Sequence, residues 1–327
     1  MCPRNSGSED SMSTECQNAI STHENNYFRC DVLILFATQS EYDMLKEAAR
    51  ELGIMFDKRC TVGPHGENVE YFSLGHVGNV RINALRTAMG PFSYGGSASR
   101  AIYYRTITGA TAIIQVGMAF GIDPSTQKLG DVLVSTSLIP YDSREVRAVA
   151  MPPIVRMIGE SEEDCPPCPE TEAADAGSRL QKRAARAVGN SDKYTVNYSR
   201  ATRHAAKQSL VKMFEKAKES TTDKKRGYQV FFGDVLSGGA RVFSRKFIRE
   251  LVTGVPQAED GVVGGEMEGV GLLSVSPMND PLWCVVKGIS DFGDENRDQV
   301  IKESRPVACK NSALFVLSAL MKNRTAP

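Results

Sequence analysis

Histidine, cysteine and net charge are the scarce features of this chain. Only four histidines occur among 327 residues, and His65, His76 and His204 are scattered at no ligand spacing, so no metal site is expected. Eight cysteines are too dilute for a disulfide scaffold. Cys60, Cys284 and Cys309 each sit singly in apolar settings, the pattern of reduced, buried thiols. Cys165 and Cys168 form a lone C-x-x-C around two prolines. With no second pair or nearby histidine to complete four zinc ligands, it reads as a loop. The 39 basic residues balance 39 acidic ones for a formal charge of +0. The molecule as a whole therefore offers no field for nucleic acid or an anionic membrane. No apolar run approaches the ~20 residues of a bilayer crossing, and residues 1–30 lack the apolar core of a secretory signal. The expectation is a cytoplasmic protein with no cofactor and with neither a membrane nor a nucleic acid as partner.

What is present is an ordinary globular composition, 41% apolar and 24% charged, with length enough for a large core. Residues 1–29 are rich in Ser, Asn, Thr and Glu without apolar spacing, so they are expected to form a disordered N-terminal tail. From Asp31 the run Val32 to Ala37 is a continuous apolar strand of the kind buried on both faces. Ser40 then heads a helix with Leu45, Ala48, Ala49 and Leu52 at helical spacing, ended by Gly53. Two β-like runs, Ile54 to Thr61 and Val69 to Leu74, are parted by Gly63-Pro64-His65-Gly66 and predict a hairpin. Helical periodicity marks Val80 to Met89 and Ser97 to Thr108, either side of a turn-rich loop.

Further strands are predicted at Thr111 to Gly117, Gly130 to Thr136, Tyr228 to Val235 and Leu282 to Ile289. Helices are predicted at Phe243 to Thr253 and Val307 to Met321, and another opens at Glu266 to Glu268. The span 151–226 is least regular: prolines and acids come first, then a basic, partly helical stretch. Residues 30–327 are thus expected to form a single catalytic domain carrying a loop and basic insertion. Strands alternating with helices give an α/β fold, a three-layer sandwich with a central mixed sheet flanked by helices.

Ligands of open α/β sheets collect beyond strand ends, which singles out Glu41, Gly117 to Gly121, Glu266 to Glu268 and Asp291. Carboxyls in unlike environments suit cleavage of an N-glycosidic bond. That reaction develops an oxocarbenium-like ribose and a base that must leave neutral. Burial of Asp291 would help it hold a proton for the base, and an ionised Glu41 would polarise a water. Glu268 is well typed to accept hydrogen bonds from two ribose hydroxyls. The plainer reading of each acid is a carboxylate at a loop or helix N-terminus.

Five short passages, in order, carry a family resemblance: Ala37-Thr38-Gln39-Ser40-Glu41, Val116 to Gly121, Leu129 to Ser135, Gly265-Glu266-Met267-Glu268-Gly269 and Lys287-Gly288-Ile289-Ser290-Asp291. Over about 31–322 the chain resembles the methylthioadenosine/S-adenosylhomocysteine nucleosidases, within the purine nucleoside phosphorylase family. The resemblance implies a nucleoside phosphorylase-like fold and a homo-oligomer. It implies that Asp291 protonates N7 of the purine and that Ser290 steadies it. Glu268 would bind the 2′- and 3′-hydroxyls, Met267 would lie against the ribose, and Glu266 would support the pocket. Glu41 falls where those enzymes hold the glutamate that orients the attacking water. Backbone near Leu236 and Ser237 would meet the base.

The chain also departs from that pattern. Met118, after Gly117, replaces a small polar residue and Phe120 replaces a glycine, so the water or phosphate pocket is reshaped. Leu236 stands where an aromatic often stacks on the base. No arginine at 38–44 matches the early phosphate-binding arginine of the phosphorylases, which favours water as co-substrate. For the 5′ group of the substrate, Tyr141, Arg144 and Arg147, then Arg200, Arg203, His204 and Lys207, offer partners to phosphate. The passage Lys128 to Asp142 also resembles the nucleosidase domains of immune effectors, some of which hydrolyse ATP. The expected activity is hydrolysis of a purine nucleoside or nucleotide, with adenine as the expected base, releasing free base and the ribose moiety. The alternatives are a phosphorylase and a non-catalytic nucleoside-binding module, the latter suggested by Met118 and Phe120.

Overall fold

The computed structural model describes residues 28–148, 194–198, 201–219, 227–255, 261–276 and 280–323. The C-x-x-C, nearly all of the expected tail and most of the expected insertion lie outside the described residues. The chain divides into two compact units, Met1–Asp142 with Ala201–Pro327, and Ser143–Arg200.

In the larger unit, β1 (Val32–Phe36) buries all five side chains, as its unbroken apolar run requires. It lies between two parallel neighbours, β4 (Val80–Arg86) and β5 (Ala112–Gly121). Full burial of each large aliphatic side chain contributes about 1.5–3 kcal/mol. The helix that begins three residues on, α1 (Gln39–Glu51), is capped by Thr38 rather than Ser40. Glu41 N–H donates to Thr38 Oγ1 at 3.3 Å, and Thr38 N–H donates to the Glu41 carboxylate at 2.8 Å, a reciprocal capping box.

The expected hairpin is present as β2 (Asp57–Val62) and β3 (Asn68–Val77), paired antiparallel. The helix expected at Val80 to Met89 is instead β4. A turn at Gly78, with φ +62°, returns the chain antiparallel to β3, and Val80, Ile82, Ala84 and Leu85 are buried beside β1. A short apolar run has no decisive period of its own, and here the open sheet edge decides. α2 (Ser97–Thr108) follows where expected.

The sheet continues through β6 (Val132–Pro140), β9 (His204–Ala205), β10 (Val230–Ser237), β11 (Val262–Glu266) and β12 (Trp283–Asp291). Its order is β11-β10-β6-β12-β5-β1-β4-β3-β2, with β9 on β6. β11 also pairs antiparallel with β5, Gly264 opposite Gly121 and Gly265 opposite Phe120. The strands β5, β12, β6, β10 and β11 therefore close into a ring. Gly264 and Gly265 permit that closure, because a Cβ on them would meet Leu133 at 2.2 Å and Phe120 at 2.1 Å. Glu266 thus ends a strand rather than opening a helix, and a 3-10 helix, Gly269–Val275, follows. The smaller unit holds β7 (Glu145–Ala148) paired antiparallel with β8 (Tyr194–Asn197).

Helices α3 (Gln208–Glu219), α4 (Arg245–Gly254) and α5 (Arg297–Lys322) complete the mixed α/β architecture. Although α3 falls within the span read as insertion, it belongs to the larger unit and buries Leu210, Val211, Met213, Phe214 and Ala217. α5 starts ten residues before the expected Val307 and carries Pro306 inside it. Proline removes one intrahelical hydrogen bond. The helix persists because Ile301 and Ser304 before it and Ala308 and Cys309 after it are all buried. Ser304 Oγ donates to the Ser290 carbonyl, and a Cβ on Gly288 would lie 2.0 Å from the Ala308 carbonyl oxygen, so α5 is clamped on β12. Cys30, Cys284 and Cys309 are free and buried, and burial pushes the Cys30 and Cys284 thiols up to about 12. Cys60, half-buried on the outermost strand β2, is disulfide-bonded, which corrects the expectation of a reduced thiol there. Among the described residues no helix is long and apolar enough to cross a membrane.

Candidate active site

Closure of the ring brings the ends of β5, β11 and β12 together with the β1–α1 turn around a cavity of about 300 Å³. The four acids from strand exits, Glu41, Glu266, Glu268 and Asp291, all line it. Met118, Phe120, Met267 and Ser290 line it too. Gly117 stands behind this wall. Its φ is +137°, and a Cβ there would sit 1.8 Å from Glu41 Oε1, so only glycine lets Glu41 lie against β5.

Glu41 is the acid of the capping box and also a member of the cavity wall. Its Oε2 accepts from Ala37 N–H at 2.7 Å and Thr38 N–H at 2.8 Å, and its Oε1 accepts from Met118 N–H at 3.2 Å. Glu268 accepts from Gly90 N–H at 3.3 Å through Oε1 and from Lys287 Nζ at 3.0 Å through Oε2. Its carbonyl accepts from Ser97 Oγ at the start of α2. Glu266 accepts from the N–H groups of Glu268 and Gly269, each at 2.9 Å.

Lys287 was not expected as a site residue. It sits fully buried on β12, 3.0 Å from Glu268, 3.7 Å from Glu41 and 3.9 Å from Glu266. Burial alone would pull its ammonium down. Glu268, Glu41 and Glu266 together outweigh that effect and hold it above the usual lysine range. With three carboxyls to one cation the cluster remains acid-rich. Burial pushes the Glu266 carboxyl up, Lys287 opposes that rise and Glu268 adds to it, so the Glu266 carboxyl is driven towards its protonated form. A signal for Lys287 was present: a lone lysine inside a strand read as buried demands a partner.

Asp291 ends β12 and is buried, but burial is not its whole environment. Gly293 N–H donates to Oδ1 at 2.8 Å, and Arg297 Nε lies 3.3 Å from Oδ2. Ser290 Oγ lies 2.8 Å from Oδ2 and 3.2 Å from the Ala119 carbonyl, between which its one proton can turn. The Arg297 guanidinium stands 5.0 Å over the Phe243 ring.

A family model described as the Phosphorylase superfamily matches residues 31–321. The chain belongs to that superfamily. Its fold is shared with the 5′-methylthioadenosine/S-adenosylhomocysteine nucleosidase of Neisseria meningitidis, solved with methylthio-immucillin-A, at 17% identity and TM-score 0.59 over 89% of this chain and 99% of that one. It is shared equally with the futalosine hydrolase of Helicobacter pylori, at 16% identity and TM-score 0.56 over 88% and 96%. A death domain-containing ATP nucleosidase of Amphimedon queenslandica is 27% identical over 220 residues. That match takes in 65% of this chain and 34% of the relative, so the chain spans about a third of that protein's length. The resemblance carried by the five motifs therefore holds at the level of family and fold.

Within this superfamily fold, two groups of expected residues lie elsewhere. Leu236 and Ser237 are fully buried in β10 and do not line the cavity. Ser237 Oγ instead accepts from Val270 N–H at 2.7 Å. The wall is formed slightly later, by Ala240, Arg241 and Val242, with Tyr141 beneath donating from its hydroxyl to the Ala240 carbonyl at 2.9 Å. Of the residues proposed for a 5′-phosphate, Arg203 pairs with both Asp234 oxygens at 2.8 and 3.0 Å, His204 Nε2 meets Thr202 Oγ1 at 2.8 Å, and Lys207 donates to the Thr111 carbonyl at 2.8 Å. None of these lines the cavity. Arg144 and Arg147 belong to the smaller unit, and Arg200 lies outside the described residues.

The arginines on the wall are Arg241, Arg297 and Arg305, from a loop and from α5. Arg241 Nη2 lies 3.2 Å from Met89 Sδ, beside the Gly90 that binds Glu268. Arg305 lines the cavity from α5, one residue after the Ser304 that donates to the Ser290 carbonyl. Its Nε is buried with no hydrogen-bond partner among the described residues. No pattern in the sequence marks these three, because they come from a loop and a helix that follow the strand ends rather than from the strand-exit residues themselves.

Proposed function

We propose that this member of the phosphorylase superfamily hydrolyses the N-glycosidic bond of a purine nucleoside or nucleotide. The observation that carries the reading is a single cavity holding Asp291 together with Glu41 and Glu268, the latter two tied by one buried lysine. Asp291 gives a proton to N7 as the C1′–N9 bond breaks, so the bonding electrons leave on a neutral purine rather than an anion. Water adds to C1′ and passes its proton to Glu41. A carboxylate has about four acceptor sites, and backbone N–H groups occupy three on Glu41, which leaves one for that water. Glu268 accepts the ribose hydroxyls. Lys287, within reach of both Glu41 and Glu268, balances their charge while positive charge grows on the sugar.

The names of the relatives support this reading. They include nucleosidases, a futalosine hydrolase and an ATP nucleosidase, and the Colwellia psychrerythraea nucleosidase was solved with adenine, which favours adenine as the base. The test is free base released from a panel of purine nucleosides and nucleotides. Asp291→Asn should lower that release by about 10²–10⁴-fold with the fold intact by circular dichroism. Undiminished turnover would sink the mechanism.

One observation favours phosphorolysis as a second reading: Arg305 on the cavity wall, its buried Nε without a hydrogen-bond partner among the described residues, suits inorganic phosphate as the attacking group. That reading requires a reaction that stalls without phosphate and yields ribose 1-phosphate.

A further inference from the structure

The nucleosidase reading above leaves the 5′ group of the substrate open, and the surroundings of Asp291 bear on it. Resting on that reading, we infer that Arg297 is a specificity-determining residue: it pairs with Asp291 and passes to the 5′-phosphate when a purine nucleotide binds, coupling base release to phosphate recognition.

Three observations lead there. The first is how weakly Arg297 is held. Its Nε lies 3.3 Å from Asp291, long for a charge-assisted hydrogen bond, and among the described residues its only other ionic neighbour is the exposed Asp298 at 3.9 Å. The face of the guanidinium rests on Phe243, which leaves most of its five donors at the rim of the fork free for another acceptor.

The second is what Asp291 needs. An acid must carry a proton before it can give one, yet the oxygens of Asp291 meet Gly293 N–H, Ser290 Oγ and Arg297, an arrangement that suits a carboxylate. Departure of Arg297 removes the one cation from that set. Ser290 can then turn its proton to the Ala119 carbonyl, 3.2 Å away, and Oδ2 is free to take a proton from solvent and aim it at N7.

The third is the shape of the substrate. In a purine nucleotide with the base anti, N7 and the 5′-phosphate lie along the same edge. A cation beside the N7 acid therefore meets the phosphate. The other cations of the region are placed differently: Arg203 and Lys207 are engaged away from the cavity, and Arg305 lines the wall without an ion pair to Asp291 among the described residues. Arg241, beside Met89 and the ribose-binding Glu268, is positioned to share the phosphate. A nucleoside without phosphate leaves Arg297 on Asp291 and reacts slowly.

The experiment measures base release, as separate kcat and KM, from AMP, ATP and adenosine by the wild type and by Arg297→Gln and Arg297→Lys. The wild type should prefer the nucleotides in kcat/KM. Arg297→Gln should lose roughly 100-fold on AMP, the scale of a lost charge-assisted contact, while its kcat for adenosine rises several-fold. Arg297→Lys keeps the charge without the fork and should fall between. It supplies the same comparison if the glutamine variant does not fold. Equal loss on AMP and adenosine, or a wild-type preference for adenosine, would overturn the inference and leave the nucleosidase reading standing. A wild type that releases base from no purine compound would overturn both.

Discussion

Glu41 and Asp291, two carboxyls on one cavity, are held in opposite ways. Three backbone N–H groups grip Glu41, at 2.7, 2.8 and 3.2 Å, in a helix cap with Lys287 behind it. Asp291 has one backbone N–H, a hydroxyl with a second acceptor in reach, and an arginine at 3.3 Å. Main-chain donors cannot leave without unfolding the turn, whereas a hydroxyl and a guanidinium can change partner by rotating a side chain. The first arrangement suits a group that must stay ionised and still. The second suits one that must gain and lose a proton in each turnover.

The contrast can be broken most severely from the Glu41 side. Lys287→Met leaves Glu41, Glu266 and Glu268 buried without their cation and should cost about 3–5 kcal/mol, read as a lower urea midpoint. An unchanged midpoint would mean that the cluster is not held by its charge balance. Gly117→Ala comes next. The new Cβ would displace the Glu41 carboxylate and must adopt φ +137°, so stability should fall by about 1–3 kcal/mol and base release should fall with it, while Asp291 is untouched. A fully active alanine variant would show that Glu41 need not be fixed against β5. The smallest change is one of slope. The folded-state pKa of Glu266 is raised, so its contribution to stability is present below its ordinary value of 4.5 and is lost as pH rises above it. Glu266→Gln should therefore flatten the decline in stability on the alkaline side of that value in a series of thermal melts. A slope identical to the wild type would mean that Glu266 does not hold its proton above its ordinary range.

The site was legible where chemistry coincides with a strand end. Glu41, Glu268 and Asp291 stand out because a buried apolar run stops and a carboxyl follows, and the structure brings all three to one cavity. Lys287 was equally legible in principle as the one charge inside an apolar strand, but residue type alone does not say that three acids share it. Leu236 and Ser237 were misplaced by a few residues, since the double glycine after β10 carries the chain onward before Ala240 and Arg241 reach the wall. Val80 to Met89 read as helix because its apolar spacing fits either period over so short a run. Its place beside β1, supplied by residues nearly fifty positions earlier, settled the matter.

By itself the sequence determined the α/β alternation, the buried strands, the family and the acids at the strand exits, because each is encoded by residues near one another in the chain. The tertiary structure decided the rest: the pairing of β11 with β5 that closes the ring, the single ammonium shared among three glutamates, and which arginines face the cavity. The physical reason is range. Apolar periodicity and capping act over a few residues, while a buried charge must find its partner wherever the fold delivers one. Arg203, His204 and Lys207, expected near the substrate, were therefore drawn into other contacts, and three unexpected arginines took the wall.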